Sequence, residues 1–166
     1  MKTTWAIYRR ELAGFFNSAL AYIAIPLFLL LVGLFSLYLE DIFDTGLVHM
    51  GSVFRWMSLF LVFLVPALTM RMLAEERRSG SMELLQTLPV TEAQIVLGKF
   101  FAALTVVLVS IVLTLSYPIS LAQVGDLDWG PVVGGYVGIS LLAAAYCAIG
   151  IAVSGFTRSQ ILAFLI

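Results

Sequence analysis

The residues able to carry chemistry are gathered in one stretch. "MRMLAEERRSGSMELLQTLPVTEAQ", Met70 to Gln94, holds seven charged residues in 25, and uncharged apolar runs lie on either side. Three kinds of chemistry are testable by spacing. A phosphate-binding loop needs a glycine five positions before the Gly-Lys pair and a Ser or Thr after it. Gly98-Lys99 is followed by Phe100, and Ala93 stands where the first glycine belongs. Metal binding needs clustered His, Cys, Asp or Glu at ligand spacing, and the one histidine, His49, is far from the one cysteine, Cys147. No nucleophile, base and orienting group fall together. Chemistry on a bound substrate is therefore not what the stretch is for, and recognition of a partner remains.

The elements that must position this cassette are membrane spans. The chain has 166 residues, a mean hydropathy of +1.05 and only 11% charged residues, against roughly 25% for a soluble domain. The fold class expected is all-α integral membrane, a polytopic helical bundle of one transmembrane domain over 1–166. Residues 19–39 ("ALAYIAIPLFLLLVGLFSLYL") are long enough to cross a bilayer core of about 30 Å as a helix. A cleaved signal peptide is the alternative, disfavoured by Glu11 before the run and by the lack of a small-x-small site after it. Further spans are expected at 53–70, with Arg55 reaching to the interface, at 100–124 and at 131–156. A fifth begins at 161–166, which reads as the start of an element cut short.

Residues 1–18, with "TWAIYRRELAGFFNS", read as an amphipathic helix in the membrane interface. Trp5, Tyr8, Phe15 and Phe16 would dip into the headgroups, and Arg9 and Arg10 would meet anionic lipid. A frayed start of the first span is the alternative, but Asn17-Ser18 offers a bend. Basic residues set the orientation. Lys2, Arg9, Arg10, Arg71, Arg77, Arg78, Lys99 and Arg158 fall on one side if the spans alternate; Arg55 stands alone on the other, beside Glu40, Asp41, Asp44, Asp126 and Asp128. The N-terminus and the cassette are expected in the cytoplasm.

The apolar runs, with the second counted from Trp56 to Met70, hold no Asp, Glu, Lys, Arg or His, which argues against an ion relay at membrane depth in this portion of the chain. Ser110, Thr114 and Tyr117 share a face. Gly134 and Gly138 form a GxxxG pair, and Gly150 with Ser154 repeats the small-xxx-small spacing; close helix packing is the expected role, substrate lining the alternative. Pro26, Pro66 and Pro118 are candidate kinks. Cys147 is expected to pack as a small hydrophobe.

The cassette, 71–99, has its own punctuation. Glu75 can pair with Arg71 and with Arg78, each pair contributing only about 0.2–0.5 kcal/mol. Gly80 breaks the helix, Ser81 is an N-cap candidate, and Met82, Leu84, Leu85 and Leu88 lie along a short amphipathic element that Pro89 terminates. Thr91-x-x-Gln94 makes a capping box for the next helix. An ordinary basic loop would not carry caps, a proline stop and exposed leucines rimmed by charge. Such a surface marks a protein partner.

The order Glu75-Glu76-Arg77-Arg78-Ser79-Gly80-Ser81-Met82-Glu83-Leu84-Leu85, then Leu88-Pro89-Val90-Thr91, resembles the cytoplasmic hairpin of ATP-binding-cassette type-2 permeases. "VPALTMR" before it and "VLGKF" after it extend the likeness, which is sharpest to the gliding-motility-type and copper/nitrous-oxide-accessory branch. The resemblance implies six spans behind an elbow helix, of which this chain carries four and a fragment, in the inner or plasma membrane. It implies a second permease half, identical or different, and cytoplasmic nucleotide-binding subunits that hold ATP and magnesium; no cofactor or nucleic acid is expected on this chain. Glu75 to Arg78, Gly80 to Leu85, Leu88 and Pro89 would be the coupling interface. The absent last spans depart from the family pattern, and no residue identifies the transported species. Other classes stay open: a membrane anchor recruiting a cytosolic partner, or an ion-coupled carrier with its ionisable groups elsewhere. A membrane enzyme fits least.

Overall fold

The computed structural model describes residues 2–38, 50–78, 91–123, 125 and 127–156, which are helical with short connections and, among the described residues, no strand. In chain order the helices are α1 (Lys2–Asn17), α2 (Ala19–Tyr38), α3 (Gly51–Arg78), α4 (Glu92–Leu113), α5 (Ser116–Leu121) and α6 (Trp129–Phe156). Three segments are long and apolar enough to cross a membrane: Gly51–Thr69, Glu92–Leu121 and Trp129–Gly155. Thr4–Asn17 and Ala21–Ser36, bent by 72° between them, add a fourth if the pair is one broken span. The bend falls at Ser18, whose hydroxyl donates to the Phe15 carbonyl at 3.0 Å. The 161–166 segment lies outside the described residues.

α3 and α6 form the largest contact and run in the same direction. A Cβ on Gly135 would collide with the Phe54 ring; fifteen residues further along both helices, a Cβ on Gly150 would collide with the Thr69 hydroxyl. Two close approaches about 22 Å apart hold the helices side by side. In lipid, helices gain little from hydrophobicity alone, and small residues that admit a neighbour's surface decide where they meet. The buried stripe on α3 is Val53, Met57, Leu61, Val65, Leu68 and Met72, a spacing of three and four that keeps one face inward. On α6 it is Val132, Ile139, Ala143, Cys147 and Ile151. Cys147 is a free thiol packed as an apolar group.

α4 is the most enclosed of the three spans, and its far end is interrupted. Pro118 has no N–H to give to the Thr114 carbonyl four residues earlier, and its ring crowds that oxygen. The ladder tightens instead: Thr114 N–H donates to Ile111 O at 3.1 Å, Leu115 N–H to Val112 O at 3.0 Å and Tyr117 N–H to Thr114 O at 3.0 Å. Such a break is stable in a membrane only when other groups satisfy the freed backbone. Tyr136 from α6 supplies one, its hydroxyl 3.0 Å from Thr114 O and 3.1 Å from Thr114 Oγ1. Tyr117 turns to α2 and donates to Leu29 O at 2.5 Å, where Gly33 leaves room for its ring. Thr114 and Tyr117 are thus tied into helix contacts, while Ser110 is buried with its Oγ donating to Val106 O of its own helix at 3.0 Å. Tyr136→Phe should cost about 0.5–1.5 kcal/mol, read as a lower unfolding midpoint of the detergent-solubilised protein; an unchanged midpoint would count against the tether.

Candidate functional site

The end of the bundle at which α3 finishes and α4 begins carries the cassette. α3 has 28 residues, about 42 Å of helix, so it outruns a bilayer core of about 30 Å and carries its charged last turns beyond. Glu75, Glu76, Arg77 and Arg78 form the last turn of α3. Gly80, Ser81, Met82, Glu83, Leu84, Leu85, Leu88 and Pro89 lie outside the described residues. α4 opens where the capping box was expected. Thr91 is extended (φ −79°, ψ 147°), and its N–H donates to Gln94 Oε1 at 3.4 Å.

Each arm leaving the cassette is seated on a different helix. The α3 arm rests on α6: Ser154 Oγ donates to Met70 O at 3.3 Å, and Gly150 meets Thr69. The Thr69 hydroxyl is fixed by its bond to Val65 O at 2.9 Å. Gly150 and Ser154 therefore sit at the base of the hairpin. Gly134 and Gly138 do not make the equivalent contact within this chain; a Cβ at either would meet nothing within 4 Å, and the close approach falls to Gly135 between them.

The α4 arm rests on α1, far more than on α3. Its buried face here is Ile95, Gly98, Lys99 and Ala102. A Cβ on Gly98 would lie 2.8 Å from Ile7 Cγ2 and 3.3 Å from the Thr4 carbonyl oxygen. Lys99, counted above with the loop charges, stands two turns inside α4 and is 1% exposed, its Nζ 3.2 Å from Glu11 Oε1. Arg10 also reaches Glu11, at 2.7 Å. Six residues further along α4, Thr105 donates to Phe101 O at 2.7 Å, which makes Tyr8 the donor in the 3.3 Å contact between their hydroxyls.

The aromatic residues of α1 divide between protein and surroundings. Trp5 and Phe16 are exposed, as an interfacial helix requires, and Trp5 stacks on Tyr8 at 5.0 Å. Phe15 instead faces the core, and Tyr8 is half-buried against α4. The expectation that all four enter the headgroups is corrected for these two, because Tyr8 meets Thr105 of α4 and Phe15 belongs to the hydrophobic core. Glu11, Gly98 and Lys99 are the site residues that sequence reading missed as a set. The one available signal was that Glu11 is the only acid in a 16-residue helix otherwise bearing cations.

The class these features define is a multi-pass helical membrane protein whose charged hairpin emerges from two arms with different principal neighbours, α6 for α3 and α1 for α4. A family model described as "ABC-2 family transporter protein" matches residues 6–166, and the chain belongs to that family. It is thus a transmembrane protein of the ABC-transporter permease kind; membership implies association with an ATP-binding subunit, and such permeases are typically non-catalytic. No curated protein and no solved structure matches the chain.

Proposed function

We propose that the chain is a permease subunit in which α1 is an elbow helix, α2, α3, α4 with α5, and α6 are four spans, and residues 71–99 are the coupling hairpin. An ATP-binding subunit, which would hold the nucleotide and magnesium, grips the element from Ser81 to Leu88. Met82, Leu84, Leu85 and Leu88 give buried contact, Glu75, Glu76, Arg77, Arg78 and Glu83 give orientation, and Gly80 and Pro89 bound the element. The protein lies in the plasma or inner membrane with its N-terminus in the cytoplasm, and a second permease half completes the pathway. The likeness to the gliding-motility-type and copper/nitrous-oxide-accessory permeases belongs to this proposal.

The observation that carries the reading is the separate seating of the two hairpin arms, α3 on α6 and α4 on α1. Closure of a nucleotide-binding pair would move the hairpin, and rigid helices would pass the displacement to two helix pairs at once. Ser81→Cys in a Cys147→Ala background tests the orientation. A membrane-impermeant maleimide should label it only after the cells are permeabilised, and the tagged protein should co-purify with an ATP-binding subunit. Labelling in intact cells would overturn the proposal.

A further inference from the structure

We propose that α1 and α4 are latched into one moving body, with Glu11 and Lys99 as the positioning pair, so that the surface helix travels with the second arm of the hairpin and not with α2. What drives the movement rests on the function proposed above; the latch does not.

One face of α1 is held against α4. Thr4, Ile7, Tyr8 and Glu11, spaced by the three, four and seven residues that keep a helix face aligned, meet Gly98, Lys99 and Thr105 on α4. Each contact resists a different motion. At Gly98 the missing side chain lets Ile7 and the Thr4 carbonyl come against the α4 backbone, so a side chain there requires the branched Ile7 side chain to give way. The Glu11–Lys99 pair fixes register. A slide of α1 by one turn, about 5.4 Å, would pull the carboxylate off an ammonium that is 1% exposed, and separating a charge pair at a site that excludes water is unfavourable. Tyr8 and Thr105 add a third point, about two turns beyond Gly98 along α4. The connection to α2 is weaker on each count: α1 bends away from it by 72° and makes much the smaller contact with it. Displacement of α4 therefore carries α1, with Trp5 and Phe16 exposed on it.

A cysteine pair tests this. Ile7 Cβ lies 3.0 Å from the Cβ position at Gly98, so a small outward shift of the two backbones brings the pair into the roughly 3.5–4.5 Å that a disulfide spans. Ile7→Cys with Gly98→Cys is made in full-length protein carrying Cys147→Ala. In vesicles without any ATP-binding subunit, copper-phenanthroline oxidation should form the bridge rapidly. Lys99→Met or Glu11→Gln should slow bridging about tenfold as the register loosens, whereas Lys99→Arg should not. Bridging at an equal rate in all three would overturn the latch. With the ATP-binding subunit present, the oxidised protein should stimulate ATP hydrolysis to within about twofold of the reduced protein, since a body that moves as one is not hindered by a cross-link. Loss of stimulation on oxidation, restored by reductant, would show that the two surfaces must slide and would equally overturn it. If neither form stimulates hydrolysis, the proposed function fails, and the bridging rates alone decide the latch.

Discussion

Gly150→Leu is expected to leave little correctly folded protein. Its side chain would enter the space held by Thr69, whose hydroxyl is already committed to the Val65 carbonyl and cannot turn away without losing that bond. Overpacking of this kind costs about 1–3 kcal/mol, and 2 kcal/mol is roughly a 30-fold shift in the folded-to-unfolded ratio. The site is also one of the two places where α3 and α6 touch most closely, so relief by separating the helices would forfeit Phe54 on Gly135 and Ser154 on Met70 as well. The measurement is the yield of monodisperse protein and its unfolding midpoint in detergent. Gly134→Leu and Gly138→Leu are the controls, because a side chain at either position meets open space within this chain; they should stay within about 0.5 kcal/mol of the parent. Equal losses at all three positions would refute the packing described.

The second large effect concerns coupling. Leu85→Asp with Leu88→Asp should abolish stimulation of the ATP-binding subunit while leaving insertion intact. The substitutions add no charge to any span, so the apolar runs that direct insertion are unchanged. They place two carboxylates where the proposed interface would be dry, and central apolar contacts in such interfaces are worth about 2 kcal/mol or more each, at least tenfold in affinity. ATP hydrolysis by the reconstituted complex is the measurement. Stimulation at the parental level would remove the Ser81–Leu88 element from any coupling role.

Much of the framework is legible in the residues because it depends on local patterns. Apolar runs of span length, the Thr91–Gln94 cap and the proline at 118 act on their own neighbours, so a linear reading reaches them. The contacts that fix the site depend on distance in the chain. Lys99 reads as one more loop cation until Glu11, 88 residues earlier, is placed against it. The glycines of α6 read as a GxxxG pair at 134 and 138, but small residues announce only that a close approach is possible, not which face is turned to a partner; Gly135 is the one against Phe54. Phe15 and Phe16 are adjacent and alike in type, and only the position of the core around α1 sends the first inward and leaves the second outside.

A rod interrupted near its tip does not carry torque past the interruption. α4 is straight-laddered from Glu92 to Leu113 and then yields at Thr114–Leu115, where its spare carbonyl is held by a tyrosine of another helix. Twist or thrust applied at Glu92 would arrive at that joint and be handed sideways to α6 through Tyr136, while the short tip from Ser116 to Leu121 could keep its seat on α2. The two ends of α4 would in this sense answer to different neighbours, the long segment to α6 through Tyr136 and the tip to α2 through Tyr117.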